Sequence, residues 1–385
     1  MKKIDLYMIR LFIAPFFIIF FTIFIVFLIQ FFWSQIDELS GKNIHILIII
    51  KFIFYFGISI IPLVAPISLL LSSIITYGNF SENQELIAVK SSGISFFRIM
   101  KPILCITFLF SIALYFFSDL AIPIAKIRAK KLGYQILLAN PSFKLKEGIF
   151  VNLFPDFFVK IDRKSENNQE LHNIFIFFYD KNSLVNTILS KKGFFIPNKY
   201  RSEYIQFKLM NGILYSENTN ETKGESSYQI VRFDTLIQNF KIPSYDYEGI
   251  KNLDDYDSYN THDLIKKINY LKQKNSFRKK ENIHTLIKLQ LELQKKFTFP
   301  VTCIIMFLTG APLGAIIRKG GISYPTIVAI IIFIIYYTLL TISQNKVEKN
   351  EICPWIGAWI PNFIFFPVSI WMTYKTVMDD FYIQK

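Results

Sequence analysis

Ser81-Glu82-Asn83-Gln84-Glu85-Leu86-Ile87-Ala88-Val89-Lys90-Ser91-Ser92-Gly93 is a polar stretch wedged between two hydrophobic runs, and how it is read decides the fold. Ser81 followed by Gln84 has the pattern of a capping box, so a helix over 81–92 is expected. Gly93 can adopt the left-handed conformation that ends such a helix. Glu82 and Glu85 are three apart, share one face and sit at the positive end of the helix dipole. The runs on either side are apolar enough to enter a bilayer. A short helix tied at both ends to membrane spans, with carboxylates facing water, suits docking to a protein at the membrane face. An ordinary solvated loop between two spans fits the same residues, because capping boxes are common.

Working outward, the hydrophobic runs multiply. Of 385 residues 52% are hydrophobic and 17% aromatic, with 41 Phe, far from an average soluble domain. Six uncharged or nearly uncharged runs are long enough to span: 11–33, 52–77, 103–122, 297–317, 322–343 and 352–374. The first follows Lys2 and Lys3 as a signal peptide would. It is too long for one and lacks a small-residue cleavage site, so it reads as a retained span. Pro62 and Pro66 lie inside the second span, where neighbouring helices can satisfy the freed carbonyls. The layout is three spans, a long polar insert, then three spans. The halves are 1–124 and 297–385.

The insert reads as β. Phe150–Asp162, Leu171–Tyr179, Leu184–Ile196, Tyr204–Leu209, Ile213–Ser216 and Tyr228–Phe240 have strand composition at short spacing. Asn211-Gly212 is a hairpin signal between two of them. Strands without intervening helices suggest a sandwich or jelly roll over 125–257, which ends in the Tyr-rich acidic stretch Pro243–Asp257. A helical connector over 258–296 follows. In it, Leu264, Ile265, Ile268 and Leu271 form one apolar face of an amphipathic helix, Thr261–Lys274. Glu281–Lys296 leads helically into span four. The expected fold class is a mixed membrane protein: six transmembrane helices, three plus three, with a large periplasmic jelly-roll-like domain between spans three and four.

Charge sets the orientation. The side with both termini holds Lys2, Lys3, Arg10, Lys90, Arg98, Lys101, Arg318, Lys319, Lys375 and Lys385, ten cations in short segments. The opposite short loops hold Lys42, Lys51, Lys346 and Lys349, four. The termini, the 81–92 helix and the Arg318–Gly321 turn are therefore expected in the cytoplasm and the insert outside. The net charge of +14 favours anionic lipid over nucleic acid as a partner. A composition saturated with Lys, Asn, Ile and Phe would raise it without any function.

The chain has no P-loop, no His-Glu-x-x-His and no Gly-x-Ser-x-Gly, so no ATP site of that kind and no catalytic or metal residues are expected. Cys105, Cys303 and Cys353 make no disulfide framework. His45, His172, His262 and His284 are scattered and read as solvated or structural. Asp119, near the outer end of span three, is the acid closest to a span interior; it marks either a functional site or the membrane boundary. Lys126, Arg128, Lys130 and Lys131 follow span three, and Lys295 and Lys296 precede span four. Such lysines anchor spans by snorkelling. The functional alternative is a ring that holds lipid phosphates at the outer headgroup level.

The order of these features resembles the LptF/LptG family of lipopolysaccharide export permeases over nearly the whole chain. The resemblance rests on Asp5-Leu6-Tyr7 before span one and on the three-plus-three layout around a β insert. It rests also on Glu82 through Ala88 with Gly93, Arg98 and Pro102, on Glu292, Lys295, Lys296 and Pro300, and on Gly310-Ala311-Pro312-Leu313-Gly314 before Arg318-Lys319-Gly320-Gly321. Span one carries no lysine, whereas some members use a basic residue there. The resemblance implies a non-enzymatic half-transporter of the bacterial inner membrane that binds no cofactor itself. It would pair with a second LptF/LptG-type permease chain and dock onto a cytoplasmic ABC ATPase dimer, which uses ATP. Glu82, Glu85, Ala88 and Gly93 would form the coupling helix. Lipopolysaccharide would pass through the periplasmic β domain to a jelly-roll bridge protein. Other classes remain open: a different ABC-coupled permease, for which four spans are expected, a membrane scaffold, and an ion-coupled carrier, which needs charges in mid-membrane.

Overall fold

The computed structural model of the chain describes residues 3–39, 46–139, 147–154, 157–165, 170–179, 184–196, 204–218, 228–241, 258–273, 280–316 and 323–378. The Pro243–Asp257 stretch and the Arg318–Gly321 turn lie outside them. The chain divides into two compact units: Met1–Phe32, Ile53–Lys126 and Tyr256–Lys385 form one, Trp33–Phe52 and Ile127–Asp255 the other.

Eight helices are described: α1 (Lys3–Leu39), α2 (Ile46–Glu82), α3 (Glu85–Ser91), α4 (Phe96–Ala139), α5 (Thr261–Gln273), α6 (Lys280–Ile316), α7 (Ser323–Glu348) and α8 (Pro354–Val377). All but α3 and α5 are long and apolar enough to cross a membrane, which matches the six expected spans. Glu281–Lys296 is continuous with span four inside α6, as expected. In the helical unit, Met8, Phe12 and Phe16 of α1 pack with Leu69 and Tyr77 of α2, Phe96 and Ile103 of α4, and Cys303 and Phe307 of α6. The opposite faces, such as Phe17, Ile18, Phe21 and Ile25, remain exposed apolar surface, the surface that lipid or a second membrane chain would cover.

The span prolines show how the bilayer constraint is met. Pro15 removes the donor that Leu11 O would receive, and the Thr76 hydroxyl of α2 donates to that carbonyl instead at 3.4 Å. Pro312 does the same to Leu308 O, which accepts from Thr373 of α8 at 3.2 Å. Thr302, Tyr336 and Asn362 join α6, α7 and α8 through a buried network: Thr302 Oγ1 lies 2.7 Å from the Tyr336 hydroxyl, and the two hydroxyls lie 3.0 and 3.1 Å from Asn362 Oδ1. With no hydrophobic drive between helices in lipid, such bonds and close backbone contact hold the bundle.

The insert forms one antiparallel sheet in chain order: β1 (Val151–Phe154), β2 (Phe157–Lys164), β3 (Glu170–Tyr179), β4 (Leu184–Ile196), β5 (Tyr204–Asn218) and β6 (Tyr228–Lys241). Phe150–Asp162, expected as one strand, holds a pair, β1 and β2, which run antiparallel with Phe154 opposite Phe157. Asn211-Gly212 makes no hairpin: β5 runs through it. Asn211 is left-handed there (φ 54°), as is Asn173 on β3 (φ 50°). The pairing skips Asp162, Asn173, Lys191, Asn211 and Asp234, which form one row across five strands, while the register on either side is unchanged. In–out alternation slips along this row: Asp162 and Arg163 are both exposed, as are Lys191 and Lys192. The turn chemistry of Asn-Gly has thus been spent on bending a whole sheet.

The bend rolls the sheet onto itself. β2 and β6 are four strand spacings apart, about 19 Å if the sheet were flat, yet the Phe157 and Phe240 rings lie 4.4 Å apart. Phe178 and Phe207 meet Phe240 at 5.0 and 5.8 Å. A closed, jelly-roll-like core therefore arises from a meander. The crossovers that define a jelly roll do not occur among the described strands.

Sidedness is tested by cysteine labelling. Ser81 is a poor reporter because it is buried, 3% exposed, with its hydroxyl donating to Ala315 O. Cysteines at Glu82 and Ser92, both exposed, are expected to react from the side of the termini, and one at Asn345 from the opposite side. A reversed site would break the six-span topology.

Candidate functional site

Helical spacing builds a cavity at the ends of spans three and four that adjoin the insert along the chain. Ser118, Ile122 and Lys126 recur every four residues along α4, and Glu292, Lys295, Lys296 and Phe299 fall at i, i+3, i+4 and i+7 on α6, so each set shares a face. With Ser59, Pro62 and Leu63 of α2 and Tyr337, Leu340 and Gln344 of α7, they enclose about 250 Å³. Three lysines and one glutamate line it, beside apolar Ile122, Leu63 and Phe299. A concave site of that composition suits an anionic group carried on an apolar body.

The lysines are held differently. Lys295 donates to Glu292 Oε1 at 2.6 Å. Lys296, 8% exposed, donates to Asp119 Oδ1 and to Tyr259 O, each at 2.7 Å. Asp119 Oδ1 also accepts the Thr261 N–H and hydroxyl, both at 2.6 Å. Asp119 is therefore more than a boundary marker: it caps α5 from span three and pairs with span four. Helix α5 packs by Leu264 and Ile268 against Leu289 of α6 and Tyr259. Ile265, expected on that apolar face, is exposed. Of the six basic residues singled out in the sequence, Lys126, Lys295 and Lys296 come together. Arg128, Lys130 and Lys131 lie further along α4, in the other unit, and do not line this cavity.

At the other end of the spans, the polar stretch folds otherwise than its capping box implies. α2 continues through Ser81 and Glu82, whose helix buries the Ser81 hydroxyl against α6. The chain turns at Asn83 and Gln84, and α3 starts at Glu85 with Gln84 left-handed and no side-chain cap. Ser81 lies inside α2 and so does not stand at a helix start, where a cap would be needed. Gly93 is left-handed as expected (φ 79°), and its N–H donates to Lys90 O at 2.9 Å. Leu86 is buried, whereas Glu82, Ile87 and Ala88 are exposed. The Glu85 carboxylate accepts the Tyr7 hydroxyl at 2.7 Å. Asp5 and Arg98 form a two-pronged ion pair at 2.9 and 3.1 Å. Asp5, Tyr7 and Arg98 stand out in the sequence, but nothing there pairs them with this turn, since the partners are 78 and 93 residues apart.

The sheet unit has its own concavity of about 600 Å³ along the bend. Phe150, Phe175, Leu189 and Ile213 form its apolar wall beside Lys160, Lys191, Asn173 and Asn211. Among the described residues no cluster of three metal-ligating side chains occurs.

The sequence model described as "Lipopolysaccharide export system permease LptF/LptG" matches residues 6–375, nearly the whole chain. No curated protein matches it.

Proposed function

The chain belongs to the LptF/LptG family of lipopolysaccharide export permeases, and from this we propose that it is one half of a paired ABC-type exporter in the bacterial inner membrane. A second LptF/LptG-type chain completes the transport path. A cytoplasmic ABC ATPase dimer supplies the energy from ATP, because this chain has no P-loop. That ATPase docks at Glu82, Glu85 and Ala88 on the turn between spans two and three. Lipopolysaccharide leaves the membrane at the spans' insert-side ends and passes along the periplasmic sheet to a jelly-roll bridge protein. The long β6 edge supports this last step. It pairs only with β5 among the described strands and exposes Tyr228, Ile230 and Ile237, which suits strand addition by a partner.

The observation that carries the lipid site is the convergence of Lys126, Lys295 and Lys296 on one cavity. The test neutralises Lys126 and Lys295 together, as Lys126→Gln with Lys295→Gln. Lipopolysaccharide crosslinking is expected to fall about tenfold or more, since a hydrogen bond to a charged group is worth roughly 1.5–3 kcal/mol. ATPase co-purification stays unchanged. Unaltered crosslinking would return both residues to the role of membrane anchors. Lys296 is left out because removing one member of a buried pair strands the other and costs stability by itself.

A further inference from the structure

Lys296 lines the cavity, and its ammonium also holds a neighbouring element. It donates to the Tyr259 carbonyl just before α5 and to the Asp119 oxygen that receives both donors of Thr261, the first residue of α5. The start of the connector helix is thus fastened twice to a side chain that lines the cavity. Local capping is not what secures it: the carboxylate comes from span three, 142 residues away in sequence.

We propose that Asp119 and Lys296 are positioning residues that form a latch worked by the ligand: a phosphate group in the cavity takes Lys296 from Asp119, and the start of α5 is released. This rests on reading the cavity as a phosphate site. The ammonium has three donors, and two of them go to Asp119 and Tyr259. A buried cation leaves its counter-ion only for another anion, because a lone buried charge is costly. A phosphate beside Lys126 and Lys295 meets that requirement with more charge and more acceptor oxygens than one carboxylate. Drawn to the phosphate, the ammonium also leaves the Tyr259 carbonyl, and the start of α5 is then held through Asp119 alone. Linkage makes the exchange reciprocal: whatever weakens the latch strengthens phosphate binding by the same factor.

The test uses the full chain with its co-purified partners in lipid nanodiscs. A fluorophore at His262→Cys, an exposed position on α5, reports the helix start, and crosslinking near Lys126 reports occupancy. Lipopolysaccharide, dephosphorylated lipopolysaccharide and inorganic phosphate are titrated separately. Lipopolysaccharide is expected to move the reporter in step with crosslinking, and the dephosphorylated form to move it far less. A response to inorganic phosphate alone would assign the latch to a free anion and overturn the lipid form of the proposal. Asp119→Asn keeps an acceptor for Thr261 but loses the charge. It is expected to bind lipopolysaccharide about tenfold more tightly, with a reporter that no longer responds, given the worth of a charge-assisted hydrogen bond. Thr261→Val removes one donor and leaves the ion pair, so it serves if Asp119→Asn misfolds. About threefold tighter binding is expected there. A purely structural staple would raise affinity in neither variant. A silent reporter with intact crosslinking overturns the latch and leaves the phosphate site standing. Absent crosslinking overturns both.

Discussion

Glu85→Lys is expected to abolish lipopolysaccharide transport and release the ATPase. Glu85 opens α3, and the next residue, Leu86, is buried, so the backbone beneath the carboxylate is fixed. The Tyr7 hydroxyl, donating at 2.7 Å, holds the carboxylate's orientation. A positioned carboxylate beside exposed Ile87 and Ala88 presents charge and apolar surface together, as a docking groove requires. Losing one member of a docked charge pair costs about 2–5 kcal/mol, and reversal adds repulsion. Partner affinity should fall by roughly 100-fold or more. Tyr7→Phe removes only the orienting bond, worth about 1 kcal/mol, and should leave partial transport. Asn83→Lys introduces the same side chain at an exposed neighbour without removing Glu85, and is the control. Transport in proteoliposomes and co-purification decide. Full transport and partner yield in Glu85→Lys would reduce this turn to a solvated loop.

Gly314→Leu should prevent the helical unit from assembling. A Cβ at Gly314 would overlap Ile74 O, and one at Gly310 would overlap Ser73 Oγ and come within 2.8 Å of Leu70 O. At Gly314 the obstacle is backbone, so no rotamer change relieves it and α2 must move away from α6. That separation would also break the Ser81 bond to Ala315 O, which ties the turn before α3 to span four. The cost belongs at the upper end of overpacking penalties, about 3 kcal/mol or more. Thermal unfolding in detergent, with size-exclusion profiles, provides the measurement. Gly93→Leu is the comparison: no atom lies within 4 Å of its Cβ, so only the left-handed backbone is strained, at about 1–2 kcal/mol. A Gly314→Leu protein as stable as the parent would mean that the close approach of α2 and α6 contributes nothing.

The six spans, the position of the β insert between the third and fourth, and the amphipathic connector were all legible in the amino-acid order. The reason is that each is enforced by a one-dimensional pattern. A bilayer demands an unbroken apolar run, a half-buried helix repeats near every fourth residue, and a β-rich stretch is bounded by turn residues. The ordered set of short motifs likewise carried the family, since it needs only spacing along the chain. Local signals failed where a distant segment competed for the same atoms. Ser81 could not cap a helix because α2 runs on through it, with its hydroxyl bonded to Ala315 O, 234 residues away. Asn211-Gly212 could not turn the chain once β4 and β6 paired along both sides of it.

The lysines divide along the same line. Their clustering at span ends follows from sequence alone, because a cation beside an apolar run must sit at headgroup level. Which of them face a cavity, and which one is engaged by Asp119 from 177 residues away, is a property of how α4, α5 and α6 cross. A bond of 2.7 Å between a buried ammonium and a partly buried carboxylate depends on three-dimensional placement to a fraction of an ångström, and no periodicity along one helix contains the position of another.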